Sequence, residues 1–160
     1  MIFRKAEKED FDKIRSLYWT LIDQEQDDPS FPHWKKGIHP SDEMIQNSIE
    51  REELYVLVDG GEIAACVIAD NEKFDGYSEA PWQIDSEEVI VLHVLARKLI
   101  ENVIEQERKA GKKALRLDVI ENNTTAEKLY QKLGFRYIQT KTLYYDVVGE
   151  MTFKLYELVL

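Results

Sequence analysis

The sequence predicts a mixed α/β fold in a single domain over residues 1–160, with a largely antiparallel sheet of about seven strands and helices on both faces. Three observations predict it. Strand-like and helix-like patterns follow one another in the order β-α-α-β-β-β-α-β-α-β-β. Residues 54–69 have the pattern of a β-hairpin. Two later strands are separated by a helix, which predicts that they are parallel neighbours with a right-handed crossover.

The first half of the chain carries three of the strands and two helices. We place them, in order, at a strand 2–6, a helix from Glu9 to near Gln24, a helix after Ser41, and hairpin strands 54–58 and 62–69. The first helix has apolar residues at helical spacing, and Ser41 can cap the second. Asp59-Gly60-Gly61 is a strong turn signal between the hairpin strands. Residues 25–40 hold three prolines without periodicity, which is typical of a functional loop.

The second half begins with another long connection, at 70–86. We place the following elements at a strand 88–96, a helix 97–110, a strand 114–120, a helix from Thr124, and strands 137–146 and 151–160. The strand 88–96 is apolar on both faces, which predicts a central position in the sheet. Gly111 closes the helix 97–110, and Gly149 marks the turn of a terminal hairpin.

The charge balance argues against nucleic acid as a partner. The net charge is −10, from 31 acidic and 21 basic residues, and no basic cluster is longer than a pair. An acidic surface favours approach of a cationic substrate such as an amine, although solubility is the commoner reason for such a charge. The longest apolar run, 89–96, is too short to span a membrane. The first ten residues lack an apolar signal core, so we expect a cytoplasmic protein.

The chain offers little material for a metal site or a disulfide. Cys66 is the single cysteine, which excludes an intrachain disulfide and a cysteine-based zinc site. It lies inside a predicted strand, where a small buried hydrophobe is the expected role. His33 and His39 lack partners at ligand spacing, so we expect no metal.

Residues 123–135 are the most informative segment of the chain. Thr124 with Glu127 three residues later predicts a capping box at a helix start. One face of that helix would carry Ala126, Leu129, Tyr130 and Leu133. Gly134 then predicts a left-handed helix end. A strand, a short turn and a helix with an inward hydroxyl are suited to holding a small ligand.

This segment resembles motif B of the GNAT superfamily of N-acetyltransferases, Asn-x-x-Ala-x-x-x-Tyr-x-x-x-Gly-Phe. The matching residues are Asn123, Ala126, Tyr130, Gly134 and Phe135. The resemblance extends over nearly the whole chain in element order. It implies a GNAT-like fold in which the parallel strands 89–96 and 115–119 splay apart and hold the acetyl-pantetheine arm of acetyl-CoA.

The resemblance also implies the reaction. An acetyl-CoA-dependent N-acetyltransferase would acetylate a primary amine of a small molecule or peptide by direct attack in a ternary complex. Tyr130 would protonate the departing thiolate. In the alternative interpretation, Tyr130 only packs in the core and has no catalytic role. Asn123 would meet the pantetheine or serve only the turn. Ala126 belongs to the same cofactor-binding motif.

The family's pyrophosphate-binding loop, Gln/Arg-x-x-Gly-x-Gly/Ala, is absent at its expected place. Leu95 and Ala96 run directly into Arg97 and Lys98 without a turn residue. Leu95 and Ala96 would offer backbone hydrogen-bonding groups to pantetheine, and Arg97 and Lys98 could bind phosphates. Either the gene lacks the loop or about ten residues are omitted here. A continuous backbone, with Ala96 and Arg97 Cα atoms ~3.8 Å apart, predicts weak CoA binding and favours the rival function, a non-catalytic GNAT-fold binding or dimerisation protein.

The general base stays open among residues of the central strand. His93 titrates near neutral pH but can equally be structural. Glu87 or Glu88 could act through a water or be solvated charges at the strand end. The acceptor pocket is predicted from loop aromatics that could instead cover the core: Phe31, Trp34, Tyr77 and Trp82. The terminal hairpin offers an edge that could pair with a second copy in a homodimer.

Overall fold

The computed structural model describes residues 1–72, 77–93, 99–145 and 149–160. The chain forms two compact units. The first unit comprises residues 1–28, 33–70 and 92–103, and the second comprises 29–32, 71–91 and 104–160. Each unit has a cluster of buried hydrophobic side chains.

The helices and strands follow the predicted order. The strands are β1 (Ile2–Lys5), β2 (Leu54–Asp59), β3 (Glu62–Asp70), β4 (Val89–His93), β5 (Ala114–Ile120), β6 (Arg136–Tyr145) and β7 (Gly149–Val159). The α-helices are α1 (Phe11–Glu25), α2 (Asp42–Glu50), α3 (Ile100–Lys109) and α4 (Thr124–Lys132), and a 3₁₀ turn precedes α1. The strands form a sheet in the order β1-β2-β3-β4-β5-β7-β6, and β4 is parallel to β5. The predicted mixed, largely antiparallel fold of seven strands is confirmed.

In the first unit, two helices cover the hairpin of β2 and β3. Gly60 and Gly61 make the turn with φ angles of 58° and 86°, as the sequence predicts. The Ser41 side chain accepts a hydrogen bond from the Met44 amide at 3.1 Å, which confirms the predicted start of α2. The buried cluster is formed by Ala6, Ile14, Tyr18, Ile45, Ile49, Leu54, Val56, Ile63, Cys66 and Ile68.

In the second unit, β7 lies between β5 and β6. The β5–β7 register runs from Ala114↔Val159 to Ile120↔Phe153, so every residue of β5 has a partner on that side. The predicted terminal hairpin of β6 and β7 is confirmed, and its later strand is the inner one. Among the described residues, β4 is in parallel register with β5 at three pairs, from Val89↔Ala114 to Val91↔Arg116.

The predicted capping box at the start of α4 is wrong by one residue. The cap is Asn123, whose side-chain oxygen accepts from the Ala126 amide at 3.0 Å, and Thr124 is already helical. Glu127 does not reach back toward Thr124. Its carboxylate instead accepts from the Lys154 ammonium at 2.9 and 3.0 Å, which draws the side chain toward β7. The predicted helix end is confirmed, since Gly134 has a φ angle of +96°.

Candidate active site

Helix α4 places Tyr130 on its inward face in the second unit. The side chain is only 6% exposed, and its ring meets that of Phe135 edge-on, with centroids 5.8 Å apart. The Phe135 amide donates to the Tyr130 carbonyl at 3.0 Å across the reversal made by Gly134. Phe135, just after the helix end, therefore contacts Tyr130 twice: its amide binds the Tyr130 carbonyl, and its ring packs against the phenol ring.

The start of α4 follows directly from β5. The Asn123 amide donates to the Ile120 carbonyl at 2.9 Å, which closes a tight turn after the strand. The Asn123 side chain then caps the helix at Ala126, as described above. The strand, turn and helix predicted for motif B are confirmed as local structure, and the contacts of Asn123 and Ala126 with a ligand stay predictions.

A polar group one helical turn before Tyr130 fixes α4 to β7. The Tyr156 hydroxyl donates to the Glu127 carboxylate at 3.1 Å, beside the ion pair of Glu127 with Lys154. Burial, and next the hydrogen bond to Glu127, raise the pKa of Tyr156 to about 12. The bond to Glu127 also raises the pKa of Lys154. The helix that carries Tyr130 is thus attached to β7 by the contacts of Glu127 with Lys154 and Tyr156.

Two aromatic residues predicted for the acceptor pocket lie together in the second unit. The rings of Tyr77 and Trp82 have centroids 5.2 Å apart. Tyr77 is 1% exposed, and its hydroxyl donates to the Asp118 carboxylate at 3.0 Å. Tyr77 belongs to the buried cluster of that unit, and the partly buried Trp82 packs against it. Their placement agrees with the alternative interpretation, in which they cover the core.

The remaining two aromatics lie in different units. Phe31 belongs to the second unit and is half-buried. Trp34 belongs to the first unit, where its ring meets Tyr18 at 6.3 Å and His39 at 5.8 Å. Trp34 packs against the buried cluster of that unit, so its contacts are also those of a core-covering side chain.

An ion pair that the sequence did not indicate lies inside the second unit. Arg116 donates to the Glu157 carboxylate at 3.0 Å, and the two side chains are 6% and 0% exposed. Glu157 also accepts from the Gln83 amide at 2.7 Å, while Arg116 donates to the Ile84 carbonyl and lies 4.2 Å from the Trp82 ring centroid. We call these two side chains the buried clamp, because they hold residues 82–84 to β5 and β7.

His93 is paired with a carboxylate that the sequence analysis missed. In the first unit, His93 Nε2 lies 2.8 Å from Asp70 Oδ1, and the side chains are 8% and 7% exposed. Asp70 is the last residue of β3. His39 is exposed as a residue, but desolvation of its ring, and next the charge of His93, lower its pKa. In the sequence, the only sign of this partner is that the apolar strand β3 ends in an aspartate, Asp70.

Glu87 and Glu88 lie at the surface of the second unit, just before β4. Both are exposed. The Glu88 carboxylate lies 3.8 Å from the Lys113 ammonium, and its backbone amide donates to the Ser86 hydroxyl at 3.0 Å. These are the surroundings expected of solvated charges at a strand end.

Four predicted cofactor-binding residues, Leu95, Ala96, Arg97 and Lys98, lie outside the described residues, as does the predicted spacing at the Ala96–Arg97 junction. Within the described ranges, no three His, Cys, Asp or Glu side chains are grouped so that they could hold a metal ion. In the same part of the chain, no helix has the length and apolar character needed to cross a membrane.

Several solved structures have a similar fold. An acetyltransferase of the GNAT family from Listeria monocytogenes is 22% identical with a TM-score of 0.74, covering 99% of this chain and 94% of its own. A Salmonella typhimurium protein solved with its cofactor acetyl-CoA is 17% identical with a TM-score of 0.69, covering 99% and 93%. A ribosomal-protein-alanine N-acetyltransferase from Brucella melitensis is 15% identical with a TM-score of 0.71, covering 100% of both chains. At these identities the similarity shows the fold alone.

Among curated proteins, none matches the chain significantly. The sequence matches the Acetyltransferase (GNAT) family over residues 9–135, which includes β2 to β5 and the whole of α4. This match covers most of the chain, and the chain therefore belongs to the GNAT family of acetyltransferases.

Proposed function

We propose that this protein transfers the acetyl group of acetyl-CoA to a primary amine of a small molecule or peptide, by direct attack in a ternary complex. Membership of the GNAT family supports acetyl transfer. The observation that carries the proposal is Tyr130, a buried phenol held on a capped helix immediately after β5. The Salmonella relative with bound acetyl-CoA supports the choice of donor. The Brucella relative makes a peptide α-amino group one acceptor class to test.

The proposed chemistry assigns one role to Tyr130. The neutral amine attacks the thioester carbon, a C–N bond forms, and the C–S bond breaks. The sulfur leaves as a thiolate unless it receives a proton, and Tyr130 is the proposed donor. The amine nitrogen must itself lose a proton, for which His93 and Glu88 are the candidate bases. Acetyl-CoA is a cosubstrate in this scheme, which requires no metal.

Tyr130→Phe tests the proposed acid. We expect kcat to fall by roughly 10²-fold, the lower part of the range for general acid catalysis, with little change in the Kd for CoA. Release of the CoA thiol with a panel of primary amines measures turnover, and calorimetry measures the Kd. Tyr144→Phe is the matched control, because Tyr144 lies on β6 and is 72% exposed. If Tyr130→Phe leaves kcat unchanged, Tyr130 is not the general acid.

The sequence of residues 95–98 favours one alternative, a non-catalytic GNAT-fold protein with weakened CoA binding. Leu-Ala-Arg-Lys contains no glycine to form a phosphate-binding loop. Losing three charge-assisted hydrogen bonds of about 1.5–3 kcal/mol each would weaken binding by roughly 10³- to 10⁶-fold. A CoA titration followed by thermal unfolding separates the two functions, since a ligand that binds the native state raises the Tm. An unchanged Tm at millimolar CoA, together with no thiol release, would establish the alternative.

The remaining expectations stay predictions. Sedimentation of the purified protein would test the homodimer, and fractionation of cells would test the cytoplasmic location.

A further inference from the structure

Strand β6 lies at one end of the strand order, in the second unit. Within the described ranges it has a strand neighbour on one side only, which is β7. It is ten residues long, whereas β1, at the opposite end of the strand order, has four. A strand at the edge of a sheet presents a row of N–H and C=O groups that another strand can bind. The length of β6 therefore makes it the better template of the two edges.

The charge of β6 suits contact with an identical strand. The chain has 31 acidic residues and a net charge of −10, so two copies repel each other overall. Residues 136–145 contain no acidic residue and two basic ones, Arg136 and Lys141. The Lys141 ammonium lies 3.1 Å from the Glu79 carboxylate of its own chain, which offsets its charge. Two copies can therefore approach along β6 without bringing carboxylates of the two strands together.

The register with β7 limits the axis that could relate two copies of β6. Pairing with β7 is regular over residues 139–145, and it shifts between Tyr137 and Gln139. Opposite residues of an antiparallel pair lie on one face, and side chains alternate between the faces along a strand. A two-fold axis between two identical antiparallel strands must therefore pass through a residue and not between two residues. The middle residue of the regular segment is Thr142.

We propose that the second unit forms a homodimer in which the β6 strands of two copies pair antiparallel about a two-fold axis at Thr142. In this register, Thr142 lies opposite the partner's Thr142, and Lys141 lies opposite the partner's Leu143. Lys141 is the one charged residue of segment 139–145, so no like charges are opposite each other. The proposal goes beyond the proposed function and does not depend on it.

Side chains on one face of β6 support this register. The Thr142 hydroxyl lies 3.0 Å from the Thr152 hydroxyl of β7, so the pairing extends a row of threonines across the axis. Tyr144 is 72% exposed and lies on the same face as Thr142, two residues away. In the dimer it lies opposite the partner's Thr140. Threonine pairs and pairs of an aromatic with a β-branched residue are both favourable between neighbouring strands.

Sedimentation equilibrium of the purified protein tests the homodimer directly. We expect the mass to rise from 18.8 kDa, that of one chain, toward twice this value as the concentration increases from low micromolar to near millimolar. The mass of one chain at every concentration would overturn the proposal. Species larger than a dimer would also overturn it, because they indicate contact between two different surfaces of the molecule.

Two substitutions at the axis test the register. Thr142→Lys and Thr142→Asp each place two like charges opposite one another, so each variant alone should dimerise roughly 10-fold more weakly. An equimolar mixture of the two variants should recover dimerisation, because the two introduced charges are then opposite in sign. Thr142 is exposed, so we expect both variants to fold, and circular dichroism checks this. A mixture that dimerises no more strongly than either variant alone would exclude an axis at Thr142.

Ile2→Lys is the matched control. Ile2 is 64% exposed on β1, at the other end of the strand order, so its substitution should leave dimerisation as in the wild type. Weaker dimerisation of Ile2→Lys, with the Thr142 variants unaffected, would place the contact on β1 and overturn the proposal. Acetyl transfer plays no part in these measurements, so their outcome is separate from the test of the proposed function.

Discussion

At the scale of single residues, one amide side chain determines where α4 begins. Asn122, Asn123 and Thr124 are all residues that cap helices well, and three of them in succession leave the start ambiguous from sequence. The turn decides it, because Asn123 is the last residue with non-helical angles, φ −85° and ψ 66°. The sequence could therefore predict the cap only to within one residue.

Alanine substitutions separate the three positions. Asn123→Ala should lower the free energy of unfolding by about 1 kcal/mol, because the Ala126 amide loses its acceptor. Asn122→Ala and Thr124→Ala are matched controls, since both side chains are exposed and neither caps the helix. Urea unfolding measures all three. A larger loss from Thr124→Ala than from Asn123→Ala would restore the capping box predicted from sequence.

The pairs at the ends of β3 and inside β5 show what single-sequence reasoning cannot supply. His93 is recognisable as a candidate base because of its residue type alone. Its partner Asp70, and the pairing of Arg116 with Glu157, depend on which strands become neighbours. Neither hydrophobic periodicity nor motif spacing contains that information.

At the scale of elements, the buried clamp attaches a segment without regular structure to two strands. The clamp supplies an acceptor for the Gln83 amide and a donor for the Ile84 carbonyl. The stacking of Arg116 on Trp82 adds a cation–π contact. The long connection that follows β3 is therefore ordered at its far end by side chains from β5 and β7.

Glu157→Gln should destabilise the protein strongly. The change leaves Arg116 as a buried charge without its counterion, which typically costs about 3–5 kcal/mol. Glu150→Gln is the matched control, because Glu150 lies on the same strand and is exposed. Chemical denaturation compares the two variants. A loss below about 1 kcal/mol for Glu157→Gln, in the range of exposed pairs, would mean that the clamp contributes little.

The elements themselves were largely predictable. The hairpin of β2 and β3, strand β5 and the end of α4 carry local signals: a Gly-Gly turn, an apolar run and a Gly cap. The order of strands in the sheet could not be predicted in this way, since no local pattern predicts that β7 rather than β6 lies beside β5. The sequence identifies Tyr77 as an aromatic residue of a long loop, and only the fold shows that it is buried.

At the scale of the whole molecule, several buried acids share one charge state. Burial raises the pKa of Cys66 from 9.0 to about 12 and that of Tyr18 well above its ordinary value. Tyr156 is raised in the same direction. Each group has a higher pKa in the folded chain than in the unfolded chain, so at alkaline pH it ionises more readily after unfolding. Their contribution to stability is complete below the unfolded pKa and is lost as the pH rises toward the folded one.

We therefore expect the free energy of unfolding to fall as the pH is raised from about 9 toward 12. Urea unfolding at a series of pH values measures the slope. Cys66→Ala should make the slope shallower, because it removes one of the ionising groups, whereas Tyr144→Phe, at an exposed position, should leave it unchanged. A free energy of unfolding that stays constant up to pH 11 would show that these groups ionise alike in the folded and unfolded chain.

The placement of β7 has a consequence for synthesis of the protein. A nascent chain that ends before residue 149 contains β4, β5 and β6, but β5 lacks the second of its two neighbours and β6 lacks its partner β7. The edge of β5 that pairs with β7 stays unpaired while α4 and β6 are synthesised. An unpaired strand edge can pair with a wrong strand. A chain that stops in this interval exposes the unpaired edge of β5, so we expect such a fragment to aggregate more readily than the chain that includes residues 149–159.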